Sequence, residues 1–170
     1  MSTDLYKSLR PLFRPKSIAI LGASEQPGRI GGRPVQLLKD FGFKGKIYPV
    51  NPNRETVQGL QAYASIDAIK GGVDQAIMAV PAKIALDVAE QCAAKGVKSI
   101  VAFTSGFAEM SSEGDAAQQH LSKIAKDSGM RILGPNCLGI FSGQDCAWST
   151  FSSSILHGRP KDGRIGVVSQ

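Results

Sequence analysis

The chain is poor in the residues that usually carry metal, disulfide and hydrolytic chemistry. Its 170 residues include two histidines and three cysteines. Cys92, Cys137 and Cys146 form no Cys-x-x-Cys pair, and no His-Glu-x-x-His helix is present. Zinc or cluster ligation is therefore not expected, and no metal ligand is assigned. An odd cysteine count argues for reduced thiols and against a disulfide frame. Aromatic residues make up only 6% and are not interleaved with a dense basic run, which argues against nucleic-acid binding. No apolar stretch is long enough to span a bilayer, so a membrane is not an expected partner. The opening segment MSTDLYKSLRPLF has neither the apolar core nor the small-residue cleavage pattern of a secretory signal, and a cytoplasmic location is the expectation.

What is present is the composition of a soluble globular domain, 42% hydrophobic and 20% charged, with a net charge of +6. The excess of positive charge suits a phosphorylated partner. After a lead-in helix within residues 1–15, short apolar runs alternate with amphipathic stretches. Strands are predicted at Ser17–Leu21, Lys46–Val50, Asp74–Val80, Lys98–Phe103 and Met130–Leu133. Helices are predicted at Pro34–Phe43, at Ala82–Lys95 with Ile84, Val88 and Cys92 at every fourth position and Ala85 and Ala89 beside them, and from Ser112 to Gly129 with a Ser-x-x-Asp box. A short helix near Ser65–Ile69, an extended segment at Asp145–Phe151 and a new strand at Arg164–Ser169 complete the reading. The fold class is α/β: a Rossmann-like, doubly wound parallel sheet in a three-layer αβα arrangement.

The first strand runs into a glycine-rich loop, IAILGASEQPGRIGGRP, from Ile18 to Pro34. Such a loop opening a helix is suited to a phosphate, through backbone N–H groups and the helix dipole. Arg29 and Arg33 add charge-assisted donors. The dinucleotide fingerprint Gly-x-Gly-x-x-Gly fails, because Ser24 and Pro27 occupy its second and third glycine positions. No acid follows the second strand, which ends Val50-Asn51-Pro52-Asn53. The triphosphate loop Gly-x-x-x-x-Gly-Lys-Ser/Thr is also absent: Gly45-Lys46 is followed by Ile47, and Asp40 takes the place of the first glycine. Four further loops, Val50–Asn53, Val80–Ala82, Thr104–Phe107 and Gly134–Gly139, fall at the same carboxyl edge, where ligands of this fold bind.

In that order, RPKSIAILGASEQPGRIGG, IYPVNPN, AVPA, FTSGFAE and RILGPNCLGIF resemble the CoA-binding N-terminal domain of NDP-forming acyl-CoA synthetases. That group includes ADP-forming acetyl-CoA synthetase and the succinyl-CoA synthetase alpha subunit. The resemblance covers about Leu12 to Ser142. It implies that Gly22, Ala23, Ser24, Pro27 and Gly28, beside Arg29, wrap the phosphates of coenzyme A. It places Asn51 and Asn53 on the nucleotide half, with Val80, Pro81 and Ala82 along its path. Thr104, Ser105 and Gly106 would meet the pantetheine or adenine side, and Asn136, Cys137 and Gly139 the thiol end. It also implies a domain over 16–145, a linker over 146–163, and at 164–170 the first strand of a second ligase domain. ATP or ADP with magnesium, and the phosphohistidine that relays the phosphoryl group, would belong to further domains or a partner subunit. The ligand would be CoA or acyl-CoA, and homo-oligomerisation stays open. A CoA-sensing domain fronting a protein acetyltransferase is the alternative, and an NAD(P)-dependent oxidoreductase is the weaker one.

No catalytic residue is assigned. His120 falls mid-helix and His157 in a loop, neither in a motif matching the relay histidine. Cys137 has no basic neighbour in sequence to lower its pKa, so a packing role is expected. Cys92 reads as core, Trp148 as a packing anchor and Glu109 as a solvated acid.

Overall fold

The computed structural model describes residues 3–155, together with 158, 160, 163 and 165–169. The expected loop residue His157 lies outside them. Helix α1 (Thr3–Phe13) leads into β1 (Ser17–Leu21), α2 (Arg33–Asp40) and β2 (Lys46–Val50). A small hairpin of β3 (Thr56–Val57) and β4 (Leu60–Gln61) precedes β5 (Gln75–Met78), α3 (Ala82–Ala94) and β6 (Ser99–Ala102). Then come α4 (Ser112–Ser128), β7 (Arg131–Leu133), β8 (Gly139–Ser142) and β9 (Ala147–Thr150). Five strands form one parallel sheet in the order β2-β1-β5-β6-β7. The order reverses between β1 and β5, which opens a crevice at their carboxyl ends.

The strand sequences explain the three layers. SIAIL is buried at every position, as a strand covered on both faces must be. Ile18 and Ile20 pack with Leu12, Val35, Leu38 and Trp148 beneath α1, α2 and the β8–β9 hairpin. Ala19 and Leu21 point the other way and pack with Ala85, Ala89, Cys92 and Leu121 of α3 and α4. Pro49 sits within β2 at no cost to the ladder. The strand is at the sheet edge, and the Pro49 carbonyl accepts from Tyr63 N–H on the outer side, where the missing N–H would also point.

Several expectations are corrected. In α3 the buried stripe is Ala85, Ala89 and Cys92, while Ile84 is 38% exposed; small side chains let the helix lie close to the sheet. Burial pushes the Cys92 thiol up to about 12, with Asp67 adding to the rise, so it stays protonated. The cap of α4 is Ser111, not Ser112: its hydroxyl accepts from Gly114 N–H at 3.1 Å. Ser65–Ile69 is a turn, closed by Ile69 N–H to the Ile66 carbonyl. Pro11 lies inside α1, in its last turn, and the helix runs on to Phe13 before it ends. The expected linker from 146 is not a linker at its start. Ala147–Thr150 is a fully buried strand, and Ile155 is buried too. Trp148 is the anchor there, stacked on Phe141 at 4.8 Å and edge-on to Phe41 at 4.9 Å. Of the expected strand Arg164–Ser169, residues 165–169 are exposed and form no strand among the described residues, and Arg164 lies outside those residues.

Two polar devices set the register of these layers. At the amino edge, Asp74 accepts from Lys16 N–H at 2.8 Å and pairs with Lys98 at 2.6 Å, while its own N–H donates to Ser17 Oγ at 3.0 Å. Burial alone would raise the Asp74 pKa; the bond from Lys98 and that from Lys16 outweigh it and hold the carboxyl below its ordinary value. In the sheet interior, fully buried Gln75 donates to the Leu12 carbonyl at 2.9 Å and the Pro11 carbonyl at 3.3 Å, and its carbonyl accepts from Ser149 Oγ. One amide thus ties β5 to the end of α1 and to β9.

Replacing Gln75 by leucine strands the Ser149 hydroxyl and two helix-end carbonyls. The expected loss is about 1–3 kcal/mol in urea unfolding, partly recovered by adding Ser149→Ala, which removes one stranded group. An unchanged midpoint for the single variant would refute this bridge.

Candidate functional site

The crevice at the sheet reversal holds a cleft of about 760 Å³. Its floor is Gly22 and Ala79 at the ends of β1 and β5, its wall the loop Ala23–Gly31, and its rim Asn51 and Arg54 after β2. Gly22 takes φ +84, and a Cβ there would lie 2.3 Å from the Ala79 carbonyl oxygen. Gly31 and Gly32 are equally constrained: added Cβ atoms would meet the Gly22 and Gln26 carbonyl oxygens at 2.0 and 1.9 Å. Gly28 differs. Nothing lies within 4 Å of its added Cβ, and its φ is not in the left-handed range. Its bare Cα serves no packing and faces open space in the cleft.

The loop's hydrogen bonds are asymmetric. The Ala23 carbonyl accepts from Asn51 Nδ2 at 2.8 Å, the Ser24 and Gly32 carbonyls from Gln58 Nε2 at 3.0 and 2.9 Å, and the Pro27 carbonyl from Arg33 Nε at 3.0 Å. The backbone N–H groups of Glu25, Gly28 and Ile30 have no acceptor among the described residues. Arg29 and Arg54 are exposed on the cleft lining, Arg29 steadied by Gln26 Oε1 at 2.9 Å. Helix α2 begins here at Gly32 with no side-chain cap and no acid in its first turn. Helix α3, beginning at the same edge, is likewise bare at Pro81. By contrast α4 carries Ser111, Glu113 and Asp115 at its start. Free donors, two guanidinium groups and two uncapped helix starts make this edge suited to an anion.

Of the residues singled out from sequence, Gly22, Ala23, Ser24, Gly28, Arg29 and Asn51 line the cleft. Asn51 acts within it as a brace, its amide on the Ala23 carbonyl and its Oδ1 accepting from Asn53 N–H at 2.9 Å. Pro27 supports the loop through Arg33. Val80, Pro81 and Ala82 form the exit of β5 and the start of α3. Thr104 is buried, its hydroxyl already donating to the Val80 carbonyl at 2.8 Å. Ser105 is exposed, and Gly106 takes φ +101. Asn136 is exposed at φ +52, its N–H on the Thr104 carbonyl at 3.0 Å. The Cys137 thiol is half-buried and 3.4 Å from the Ala102 carbonyl; burial raises its pKa, which fits a packing role and not a nucleophile. Gly139 belongs to β8, where a Cβ would lie 2.2 Å from the Ser149 carbonyl oxygen. Sequence reasoning missed Arg54 and Gln58. The signal for Gln58 was the Gln58-Gly59 pair between β-prone residues, which reads as a two-residue hairpin turn.

Residues 16–142 match the family described as CoA binding domain. The acetate–CoA ligase (ADP-forming) II of Archaeoglobus fulgidus is 43% identical over 162 residues, covering 95% of this chain and 24% of that protein. The alpha subunit of acetate–CoA ligase (ADP-forming) II of Pyrococcus furiosus is 40% identical over 158 residues, covering 93% of this chain and 33% of that subunit. The structure of Ca. Korarchaeum cryptofilum dinucleotide forming acetyl-coenzyme A synthetase 1, in complex with phosphate and ADP, superposes with a TM-score of 0.80 at 38% identity, covering 84% of this chain and 30% of that one. The chain thus spans about a quarter to a third of the length of these relatives. No helix among the described residues is long and apolar enough to cross a membrane.

The turn after β6 depends on Glu109, whose carboxylate accepts from Gly106 N–H at 2.6 Å and Phe107 N–H at 3.2 Å. The Gly106 bond is the leading reason its pKa lies below the ordinary 4.5. A depressed carboxyl stabilises the turn above the unfolded value, and that support is lost as pH falls through the folded one. In an NMR titration the Gly106 amide should therefore shift with a midpoint below 4.5, and the transition should vanish in Glu109→Gln. A midpoint at or above the ordinary value would contradict the assignment.

Proposed function

Because the chain belongs to the CoA-binding-domain family over residues 16–142, we propose that its cleft holds the phosphates of coenzyme A or an acyl-CoA. The observation that carries this is Gly28, a glycine with no packing role whose open face lines the cleft beside unpaired N–H groups. A pyrophosphate fits those donors, with Arg29 and Arg54 balancing its charge. Ser24 and Gly28 approach it most closely, and the bare start of α2 lies behind them. The remaining loops of the carboxyl edge, at Val80–Ala82, Thr104–Gly106 and Asn136–Gly139, run along the path of the adenine and the pantetheine arm. Asn53 borders the nucleotide half.

In this reading the chain is the N-terminal part of an NDP-forming acyl-CoA synthetase. The full reaction converts acyl-CoA, phosphate and a nucleoside diphosphate into acid, CoA and nucleoside triphosphate, reversibly, through an acyl phosphate and a phosphohistidine. Nucleotide, magnesium and the relay histidine belong to further domains or a partner subunit, to which residues 164–170 lead. CoA supplies the thiol. This chain's own residues bind and orient it; the Glu25 carboxylate on the cleft lining is engaged by Gln58 N–H at 2.8 Å. Cys137 is held protonated by burial and His120 pairs with Glu90 at 3.3 Å on the outer helices. In this reading the 170-residue chain supplies CoA binding, and turnover requires the further domains or partner subunit.

Calorimetric titration with CoA, with NADH and ATP in parallel, tests the reading. Saturable binding of CoA alone, weakening at higher salt, is the expected result; NADH binding without CoA would overturn it. Gly28→Ala should fold with a stability change below about 1 kcal/mol, since its backbone suits alanine, yet lose most CoA affinity. Gly31→Ala should instead destabilise the fold by about 1–3 kcal/mol through the clash with the Gly22 carbonyl. Equal CoA affinity in Gly28→Ala and wild type would remove the phosphates from this loop.

A further inference from the structure

The β3–β4 hairpin is only two residues long on each side, too short to stand alone. Its tip, Gln58, is one of three non-glycine residues held at positive φ (+50) among those described. A strained non-glycine position persists only where its surroundings hold it. Four bonds do so here. The Gln58 side-chain amide donates to the Ser24 carbonyl at 3.0 Å and the Gly32 carbonyl at 2.9 Å, so it bridges the two ends of the glycine-rich loop. Its backbone N–H donates to Glu25 Oε2 at 2.8 Å, and its carbonyl accepts from Lys39 Nζ of α2. Behind the tip, Ala62 N–H donates to the Glu55 carbonyl, and Tyr63 bridges to Val50 of β2, so the hairpin is fixed to the sheet edge.

We infer that Gln58 is the positioning residue of the loop: by holding the Ser24 carbonyl inward it sets the outward aim of the Glu25 N–H on the same peptide unit, and by its bond to the Gly32 carbonyl, which also accepts from Gln36 N–H, it anchors the loop to the first turn of α2. The inference rests on the proposed binding of CoA phosphates at that loop. It makes two further points of chemistry. The clasp is a neutral amide, so it fixes the loop without adding charge. Its bond to Glu25 also engages the carboxylate that would otherwise stand free beside a bound phosphate.

Two substitutions separate positioning from bulk stability. Asparagine favours positive φ but is one methylene shorter, so Gln58→Asn relaxes the backbone while releasing the two loop carbonyls. Gln58→Met keeps the length and loses the donors. Each is titrated with CoA at low and high salt, alongside thermal unfolding. For Gln58→Asn the expected result is an unfolding midpoint no lower than wild type, a Kd for CoA roughly tenfold higher, and a flatter dependence of Kd on salt. Gln58→Met should share the weaker and less salt-sensitive binding whatever its midpoint. Wild-type-like Kd in either folded variant overturns the inference, as does an affinity loss in Gln58→Asn that only accompanies a fall in its midpoint. If the wild-type chain takes no CoA, the reading of the site falls first and this inference with it.

Discussion

The approach of Gly22 to the Ala79 carbonyl is the contact on which the rest of the site depends. A side chain there would overlap a backbone atom of the neighbouring strand. Its absence, with φ +84, lets the chain leave β1 and cross directly above β5. That crossing occurs where the sheet order reverses, between β1 and β5. The loop is then forced into a tight ring, with Gly31 and Gly32 folded against Gly22 and Gln26. Three glycines close the ring, and the fourth, Gly28, is left on its outer face.

The two edges of the sheet are finished in opposite ways, and the contrast has a physical logic. At the amino edge Asp74 gathers Lys16, Ser17 and Lys98 into one set of bonds, and Ser99 Oγ donates to its carbonyl at 3.2 Å. Polar groups there are consumed by the protein itself. At the carboxyl edge the starts of α2 and α3 carry no side-chain cap, and the N–H groups of Glu25, Gly28 and Ile30 lack acceptors among the described residues. Unmade bonds at the carboxyl edge are tolerated because Glu25, Gly28 and Ile30 are exposed, where water meets their N–H groups.

Much of this was legible in the sequence, and the misses share a cause. The parallel strands read correctly because SIAIL, KIYPV and the runs around Gln75 and Ser99 are apolar and short. The loop glycines read correctly as a group, but not their division of labour, since packing against Gln26 or Ala79 is a contact between distant residues. The face of α3 read correctly at Ala85, Ala89 and Cys92 but not at Ile84, for the same reason: Ile84 looks like core by spacing, but helix–sheet distance selects the small side chains. The extended segment at Asp145–Phe151 read correctly, but not its burial: with polar Ser149 and Thr150 in it, residue 146 also read as the start of a linker. Their hydroxyls are satisfied by the Gln75 and Leu138 carbonyls, which no local pattern reveals.

The accounting of loop carbonyls gives the site its sign. A loop of alternating N–H and C=O groups has no preference between cation and anion until one set is removed. Here Asn51, Gln58 and Arg33 take the carbonyls of Ala23, Ser24, Gly32 and Pro27. Two of these clasps are uncharged amides, so Arg29 and Arg54 are not spent on holding the loop open. An acid at the end of β2, as in dinucleotide-binding folds, would put negative charge beside those arginines. Asn51 instead braces the Ala23 carbonyl from that position and adds no negative charge to that of Glu25 on the lining. The same substitution of amide for acid thus favours a phosphate-rich ligand and disfavours one recognised through its ribose hydroxyls.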